Sequence, residues 1–155
     1  PFKPPFRIDV ECKTKEGVTP SWGSACVRLE VRPTLFLGTT GGGRGDSIKS
    51  PRLVAALGGW GATENVYVVL TYYYGQEYDQ VLTTITLAMG EWHKASLVVE
   101  PPYAKFLVND SEVLRLNMAD YRELITKETL VFPCVALDTT LREYEYRNFK
   151  ISQLT

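Results

Sequence analysis

The sequence predicts an all-β antiparallel β-sandwich, and three observations support this fold class. Short apolar runs follow one another along the 155 residues, and most of them alternate apolar and polar side chains with a period of two. Glycine, proline, asparagine and aspartate residues separate these runs about every eight to twelve positions. Only one segment has helix-like spacing. About ten or eleven short strands with almost no helix are typical of a sandwich or a barrel.

The first two strands have the clearest alternation. Residues 6–13 and 25–32 each place apolar side chains on one face and charged side chains on the other, which predicts two half-buried strands. The loop between them contains Trp22. A further short strand could cover residues 34–37, and the Gly/Ser-rich segment 38–51 has no apolar period, so we expect an exposed loop there.

The middle of the chain predicts a long strand without charge on either face. Residues 52–57 are predicted as a buried strand and residues 66–74 as the long strand, with Tyr72 on one face and Tyr73 on the other. Such a strand would be covered on one side and line a concave surface on the other. Residues 75–79 are predicted to turn the chain and residues 80–88 to return it.

The stretch 90–116 predicts a meander of three strands. Residues 92–99 and 103–108 are two apolar runs separated by Pro101-Pro102, and Asn109-Asp110 supplies a turn whose residues tolerate positive φ. Residues 112–116 then form the third strand.

The C-terminal part contains the least regular patterns. Residues 117–126 allow one or two helical turns, and residues 129–137 form a strand interrupted by Pro133. In the closing strand Tyr144 and Tyr146 lie at even positions, whereas Phe149 and Ile151 lie at odd ones. We expect a bulge near residues 147–148 to move both pairs to the core side; the alternative is that the tyrosines face outward.

Several short motifs resemble known families. A Trp-His pair that opens a strand, a strand that ends in Val-Asn at a hairpin, and a closing strand about forty residues later are similar to laminin-G-like and other concanavalin A-like lectin domains. The resemblance covers about the C-terminal half and implies a jelly-roll sandwich. Gly58-Gly59-Trp60-Gly61 also resembles the GGWG of galectins and, more distantly, farnesoic acid O-methyltransferase-like domains. The galectin His-x-Asn-Pro-Arg motif is missing, so no sugar ligand follows from this resemblance.

Composition limits the classes of partner. With 17 Lys+Arg against 18 Asp+Glu, no large field of one sign attracts nucleic acid, and no apolar run is long enough to insert into a membrane. Residues 1–155 fit one β-sandwich domain. The chain starts without Met, as a processed or excised part of a larger protein would, and the resemblance favours an extracellular or cell-surface location.

The cysteines and acidic residues give no clear metal site. Cys12, Cys26 and Cys134 have no metal-ligand spacing and are expected to be buried small hydrophobic residues, with a disulfide between two of them as the alternative. No cofactor is predicted. Calcium is possible because lectin-like loops often hold it through Asp and Asn oxygens, but no loop has enough acidic residues to name ligands. Asn109-Asp110-Ser111 is a glycosylation sequon at a hairpin tip.

The aromatic residues near predicted turns are the main candidate binding site. Sugar rings stack their C–H faces on aromatic planes, and their hydroxyl groups bond amides and carboxylates at the edge. We therefore predict a carbohydrate-binding site for a glycan or glycoprotein, made by Trp22, Trp60, Asn65, Tyr73 and Tyr78. The alternative is that the tryptophans are core or corner residues and that the tyrosines are cross-strand packing.

Two other functions remain open. Arg44-Gly45-Asp46 on the Gly-rich loop matches the integrin-recognised tripeptide of adhesion modules, which would make the chain an adhesion or structural module with a protein partner. Glu143 and Glu145 would share one strand face, as paired carboxylates of a glycoside-active enzyme do, but the Glu-x-Asp-x-x-Glu pattern of retaining glucanases is absent. The lone His93 is expected to be a packed or rim residue.

Overall fold

The computed structural model describes residues 2–14, 25–32, 52–58, 64–74, 77–118, 132–137 and 144–155. The described part of the chain contains ten β-strands and no helix. In chain order they are β1 (Phe6–Thr14), β2 (Ala25–Arg32), β3 (Arg52–Gly58), β4 (Asn65–Tyr74), β5 (Glu77–Thr86), β6 (His93–Glu100), β7 (Tyr103–Val108), β8 (Ser111–Asn117), β9 (Phe132–Leu137) and β10 (Tyr144–Gln153).

The strands form two five-stranded antiparallel sheets. The first sheet has the order β10-β1-β6-β7-β8, and the second has the order β5-β4-β3-β2-β9. Two such layers, each contributing one apolar face to a shared interior, make a β-sandwich. The predicted fold class is confirmed.

Alternation along the strands decides which side chains form the core. In β1 the even-numbered residues Phe6 to Cys12 are buried, and in β4 the even-numbered residues Val66 to Tyr72 are buried. Tyr72 and Phe106 are among the largest side chains without solvent exposure. Removing a large apolar side chain of this kind from water contributes about 1.5–3 kcal/mol, so this layer supplies most of the favourable free energy of folding.

Most strand boundaries agree with the expectations from sequence. β2 and β7 have the predicted limits, whereas β5 starts at Glu77, inside the segment predicted as a turn. The reason is that β5 is an edge strand, in which polar side chains such as Glu77 and Asp79 remain exposed while their backbone pairs with β4. The segments 34–37, 38–51 and 119–126 lie outside the described residues.

The closing strand contains the expected bulge. Tyr146 pairs with Cys12 and Ile151 with Ile8, so both face the core, and the register shifts between them. Asn148 has a φ of 55°, which lies in the left-handed region. Phe149, which was expected on the core side, is instead 47% exposed because it lies within the bulge.

The side chain of Asn109 joins the hairpin between β7 and β8 to β6. Asn109 and Asp110 have φ values of 52° and 65°, which a two-residue hairpin turn requires. The Asn109 Oδ1 atom accepts a hydrogen bond from Lys94 N at 2.9 Å, and the backbone N of Asn109 donates to Lys94 O at 2.8 Å. Asn109 Nδ2 lies 2.9 Å from His93 Nδ1, and His93 Nε2 lies 2.8 Å from Ala88 O. His93 is therefore a packed structural residue, as expected.

Candidate functional site

The outer face of the second sheet carries the aromatic residues that the sequence singled out. In β4 the residues opposite in phase to the core are Tyr67, Val69, Thr71 and Tyr73. The register brings Arg52 of β3 and Tyr78 of β5 to either side of Tyr73, and it brings Gln80 of β5 beside Thr71. We call Arg52, Thr71, Tyr73, Tyr78 and Gln80 the tyrosine site.

Two phenol rings form the centre of the tyrosine site. Tyr73 and Tyr78 are directly opposite each other across β4 and β5, with ring centroids 6.0 Å apart and ring planes tilted by 44°. Tyr73 is half-buried, whereas Tyr78 is 62% exposed. Tilted rings at this separation interact favourably, and the exposed ring leaves a face in contact with solvent.

An arginine supports the inner ring. The guanidinium carbon of Arg52 lies 4.6 Å from the ring centroid of Tyr73, which is the distance of a cation–π contact. Arg52 Nη1 also lies 3.8 Å from Glu30 Oε1, and Arg28 Nε lies 3.2 Å from the same oxygen. The side chains of Arg52 and Glu30 are 7% and 5% exposed, so the carboxylate balances a cation that is largely withdrawn from water.

A polar pair borders the rings. Gln80 Nε2 donates a hydrogen bond to Thr71 Oγ1 at 2.9 Å, which fixes the orientation of the glutamine amide. The Thr71 side chain is buried, but Gln80 is exposed. A fixed planar amide next to exposed rings can bond a hydroxyl group of a ligand that stacks on them.

The accessible part of this face is the side formed by β4 and β5. Val54 and Thr71, at the centre of the sheet, are buried, whereas Tyr67, Tyr78 and Leu82 are more than half exposed. A ligand would therefore approach over β5 and the tyrosine rings.

The structure brings together two of the predicted carbohydrate-binding residues. Tyr73 and Tyr78 are neighbours, but Asn65 lies at the opposite end of β4 and pairs with Thr86. Asn65 and Tyr73 are eight positions apart in β4, a distance of about 26 Å at the usual rise of a strand. Trp22 and Trp60 lie outside the described residues, so their grouping with the tyrosines stays a prediction.

The residues of the other two functions are only partly described. Arg44-Gly45-Asp46 and Glu143 lie outside the described residues, so the adhesion and enzyme alternatives stay predictions. Glu145 is exposed on β10, where it pairs with Lys13 of β1 on the outer face of the first sheet. It is therefore on the opposite layer from the tyrosine site.

No pattern in the sequence selects Arg52, Thr71 or Gln80 as site residues. Arg52 was assigned to a buried strand, and Thr71 and Gln80 have ordinary positions in their strands. The register that pairs Tyr73 with Tyr78 and Thr71 with Gln80 also did not follow from the sequence, because the predicted turn covered residues 75–79 and included Tyr78.

No metal site is apparent in the described residues. Among them, no group of three or more His, Cys, Asp or Glu side chains could hold a metal ion. Bound calcium stays an open alternative.

Cys12 behaves as a small hydrophobic residue. It is a free, buried cysteine of β1, and burial raises the pKa of its thiol to about 12. The side chains of Cys26 and Cys134 are outside the described set.

Within the described residues, no helix is long and apolar enough to span a membrane.

Comparison with known proteins supports the fold through structure alone. No protein-family model and no curated protein matches the sequence. Among solved structures, the chain is similar to a variant of human galectin-16, with a TM-score of 0.62, 7% identity, and coverage of 98% of this chain and 90% of the galectin. It is also similar to the carbohydrate-binding module CBM66 from Bacillus subtilis, with a TM-score of 0.51, 7% identity, and coverage of 96% and 75%.

A third similar structure is an enzyme. The endo-β-1,3-glucanase from Pyrococcus furiosus has a TM-score of 0.58 and 10% identity; the match covers 98% of this chain but 62% of the glucanase. All three structures are concanavalin A-like jelly-roll sandwiches. The chain described here has that same concanavalin A-like jelly-roll fold.

Proposed function

We propose that the chain is a non-catalytic, lectin-like module that binds a carbohydrate at the tyrosine site. The observation that carries this proposal is the pair of adjacent rings, Tyr73 and Tyr78, with the exposed ring beside the fixed amide of Gln80. An aromatic plane takes the C–H face of a sugar, and an amide takes the hydroxyl groups at its edge.

The charge of the site favours a neutral or weakly acidic glycan. The Arg52 guanidinium is stacked on Tyr73 and lies near the Glu30 carboxylate, so its charge is largely balanced within the protein. Recognition then depends on stacking and on hydrogen bonds from amide and phenol groups. The names of two similar structures, a carbohydrate-binding module and a β-1,3-glucanase, add support at the level of fold.

Screening of the wild-type chain on a glycan array, followed by calorimetric titration of the best ligand, tests the proposal. We expect Tyr78→Ala to weaken binding about two- to tenfold, because a stacked ring contributes about 0.5–1.5 kcal/mol and 1.4 kcal/mol is a factor of ten. Gln80→Ala should weaken binding less.

The matched control is Tyr103→Ala. Tyr103 is an exposed tyrosine of β7, beside the guanidinium of Arg115 at 5.2 Å, but it lies on the other sheet. Its removal should leave affinity unchanged. Equal losses in the two variants, or an absence of any glycan ligand at millimolar concentration, would contradict the proposal.

A further inference from the structure

The outer face of β4 and β5 continues the tyrosine site along the length of both strands. Every second residue of a strand lies on the same face, and residues opposite each other in an antiparallel pair share a face. The register therefore places ten side chains in one double row, which we call the β4–β5 strip. From one end to the other, its pairs are Tyr73–Tyr78, Thr71–Gln80, Val69–Leu82, Tyr67–Thr84 and Asn65–Thr86.

The ten side chains of the β4–β5 strip are all uncharged. Six carry a hydroxyl group and two carry an amide, groups that both donate and accept hydrogen bonds, and the other two are aliphatic. The acids Glu77 and Asp79 have the phase of the core residue Tyr72, so they do not belong to the strip. Such a surface complements a neutral ligand that has many hydroxyl groups and apolar C–H faces, which is the chemistry of a sugar chain.

The exposed apolar side chains are spread over the length of the strip. Tyr78 is 62% exposed at one end, Leu82 is 57% exposed in the middle, and Tyr67 is 56% exposed towards the other end. Tyr67 and Tyr73 are six positions apart in β4, a distance of about 20 Å at the usual rise of a strand. A single sugar ring cannot contact both ends, so the strip is longer than the ligand that the tyrosine site alone would hold.

We propose that the β4–β5 strip binds an extended, neutral glycan chain whose axis runs parallel to the two strands, with Tyr78 and Tyr67 as two stacking platforms. This inference rests on the proposed function and adds to it a class of ligand and a second contact region. Each unit of an equatorially linked chain adds about 5 Å to its length, so about four units cover the roughly 20 Å between the platforms. Leu82, between the platforms, contacts the C–H face of an inner unit.

The two ends of the strip have the same combination of groups. At the first end, the exposed ring of Tyr78 lies beside the amide of Gln80. At the second end, the exposed ring of Tyr67 is two positions from Asn65, which is also exposed and pairs with Thr86. Asn65 is too far from Tyr73 to contact a ligand confined to the tyrosine site, but a chain that reaches the second platform can contact its amide.

Calorimetric titration with sugar oligomers of increasing length tests the proposal. The probes are β-1,4-linked oligomers of glucose, mannose and xylose, from about two to six units, whose equatorial linkages give extended chains. We expect the affinity for at least one series to rise about two- to tenfold as the chain reaches about four units, because a second stacked ring contributes a factor of this size. The matched ligands are α-1,4-linked glucose oligomers of the same lengths, which coil and should show no such rise.

Substitution of the second platform tests its role. Tyr67→Ala should remove the rise in affinity with chain length, and Tyr67→Phe, which keeps the ring, should retain most of it. Since Tyr67 is exposed, both variants should keep the fold, which thermal melting by circular dichroism verifies. The matched control is Tyr103→Ala, which removes an exposed tyrosine of the other sheet and should keep the rise.

The results distinguish the extended strip from the proposed function. The strip is overturned, and the proposed function stands, if Tyr78→Ala weakens the binding of a glycan whose affinity does not depend on chain length. The same holds if Tyr67→Ala keeps the rise, or if the β-1,4-linked series do not bind but another glycan from the array loses affinity in Tyr78→Ala. If no glycan binds at millimolar concentration, both the strip and the proposed function are overturned.

Discussion

The outer faces of the two sheets use charge in different ways. On the first sheet, Arg7 lies 2.7 Å from Asp9 and 2.6 Å from Asp110, and Lys94 lies 2.8 Å from the same Asp110 oxygen. These groups are partly or largely exposed, so water shares the stabilisation of each charge. On the second sheet, Glu30 and Arg52 are almost completely buried, and the Arg52 guanidinium lies against the half-buried ring of Tyr73.

The difference shows how one fold can have one face whose charges pair with one another and a second face that is available to ligands. The first sheet satisfies its charges in a surface network that also includes a hydrogen bond from Ser96 to Asp9. The second sheet withdraws the charges of Glu30 and Arg52 from solvent and leaves Tyr78 and Leu82 exposed. Burial of exposed rings and aliphatic groups against a partner contributes more binding free energy than burial of charges that are already paired.

The largest expected effect is the loss of the buried carboxylate. Glu30→Gln should lower the free energy of unfolding by about 3 kcal/mol, because it removes a negative charge that lies 3.8 Å from the buried guanidinium of Arg52. The exposed pair of Glu112 and Arg115, on the first sheet, should cost less than about 1 kcal/mol in the matched variant Glu112→Gln. Urea unfolding measures both values, and equal losses would remove the distinction between the two faces.

The next effect concerns Asn109, whose side chain joins the β7–β8 hairpin to β6 in the first sheet. Asn109→Ala should cost about 2 kcal/mol, because it removes the side-chain bonds to β6 and puts alanine at a φ of 52°. Asn109→Gly should cost about 1 kcal/mol, since glycine accepts this φ and only the bonds are lost. The same unfolding measurement separates the two causes; identical losses would show that backbone conformation contributes nothing.

Acid should weaken the first sheet selectively. Hydrogen bonds from Lys94 and Arg7 lower the pKa of Asp110, and a hydrogen bond from Asn148, followed by Arg147, lowers the pKa of Glu11. A carboxylate with a lowered pKa in the folded state contributes stability above its unfolded pKa of about 4, and this contribution is lost as the pH falls through the lower folded value. Melting temperatures from pH 7 to pH 2 should therefore fall less steeply for Asp110→Asn than for the wild type. Equal slopes of melting temperature against pH in the two proteins would contradict a lowered pKa of Asp110.

The smallest expected effect is at an exposed cation–π contact. The guanidinium of Arg147 lies 3.9 Å from the ring centroid of Trp92 on the first sheet, where it is also 3.4 Å from Glu11. Arg147→Gln should cost less than about 1 kcal/mol, because solvent screens the contact. Arg147→Lys, which keeps the charge, should recover part of the loss in thermal unfolding; a larger loss for lysine would exclude a contribution from charge.

Sequence patterns were sufficient for the strands but not for the contacts between them. Alternation predicted β1 and β2, and parity alone indicated the bulge of β10, because only a bulge could bring Tyr146 and Ile151 to the same side. The start of β5 was missed because polar residues at an edge strand have the same composition as a turn.

The network of the first sheet depends on residues far apart in the chain. Ser96 and Asp9 are separated by 87 positions and Arg7 and Asp110 by 103, so only the strand order brings them together. In the candidate site, the pairing of Tyr73 with Tyr78 depended on the start of β5, which the predicted turn over residues 75–79 placed too late. The contact of Tyr73 with Arg52 required the pairing of β3 with β4.

The contacts of the Asn109 side chain affect whether the chain can be glycosylated at this residue. Asn109-Asp110-Ser111 has the sequence of an N-glycan acceptor, and the sugar would attach at Nδ2. In the folded hairpin that nitrogen lies 2.9 Å from the nearly buried ring of His93. A transferase must therefore act before the hairpin closes, and we expect mass spectrometry of chain secreted from a eukaryotic host to find Asn109 largely unmodified.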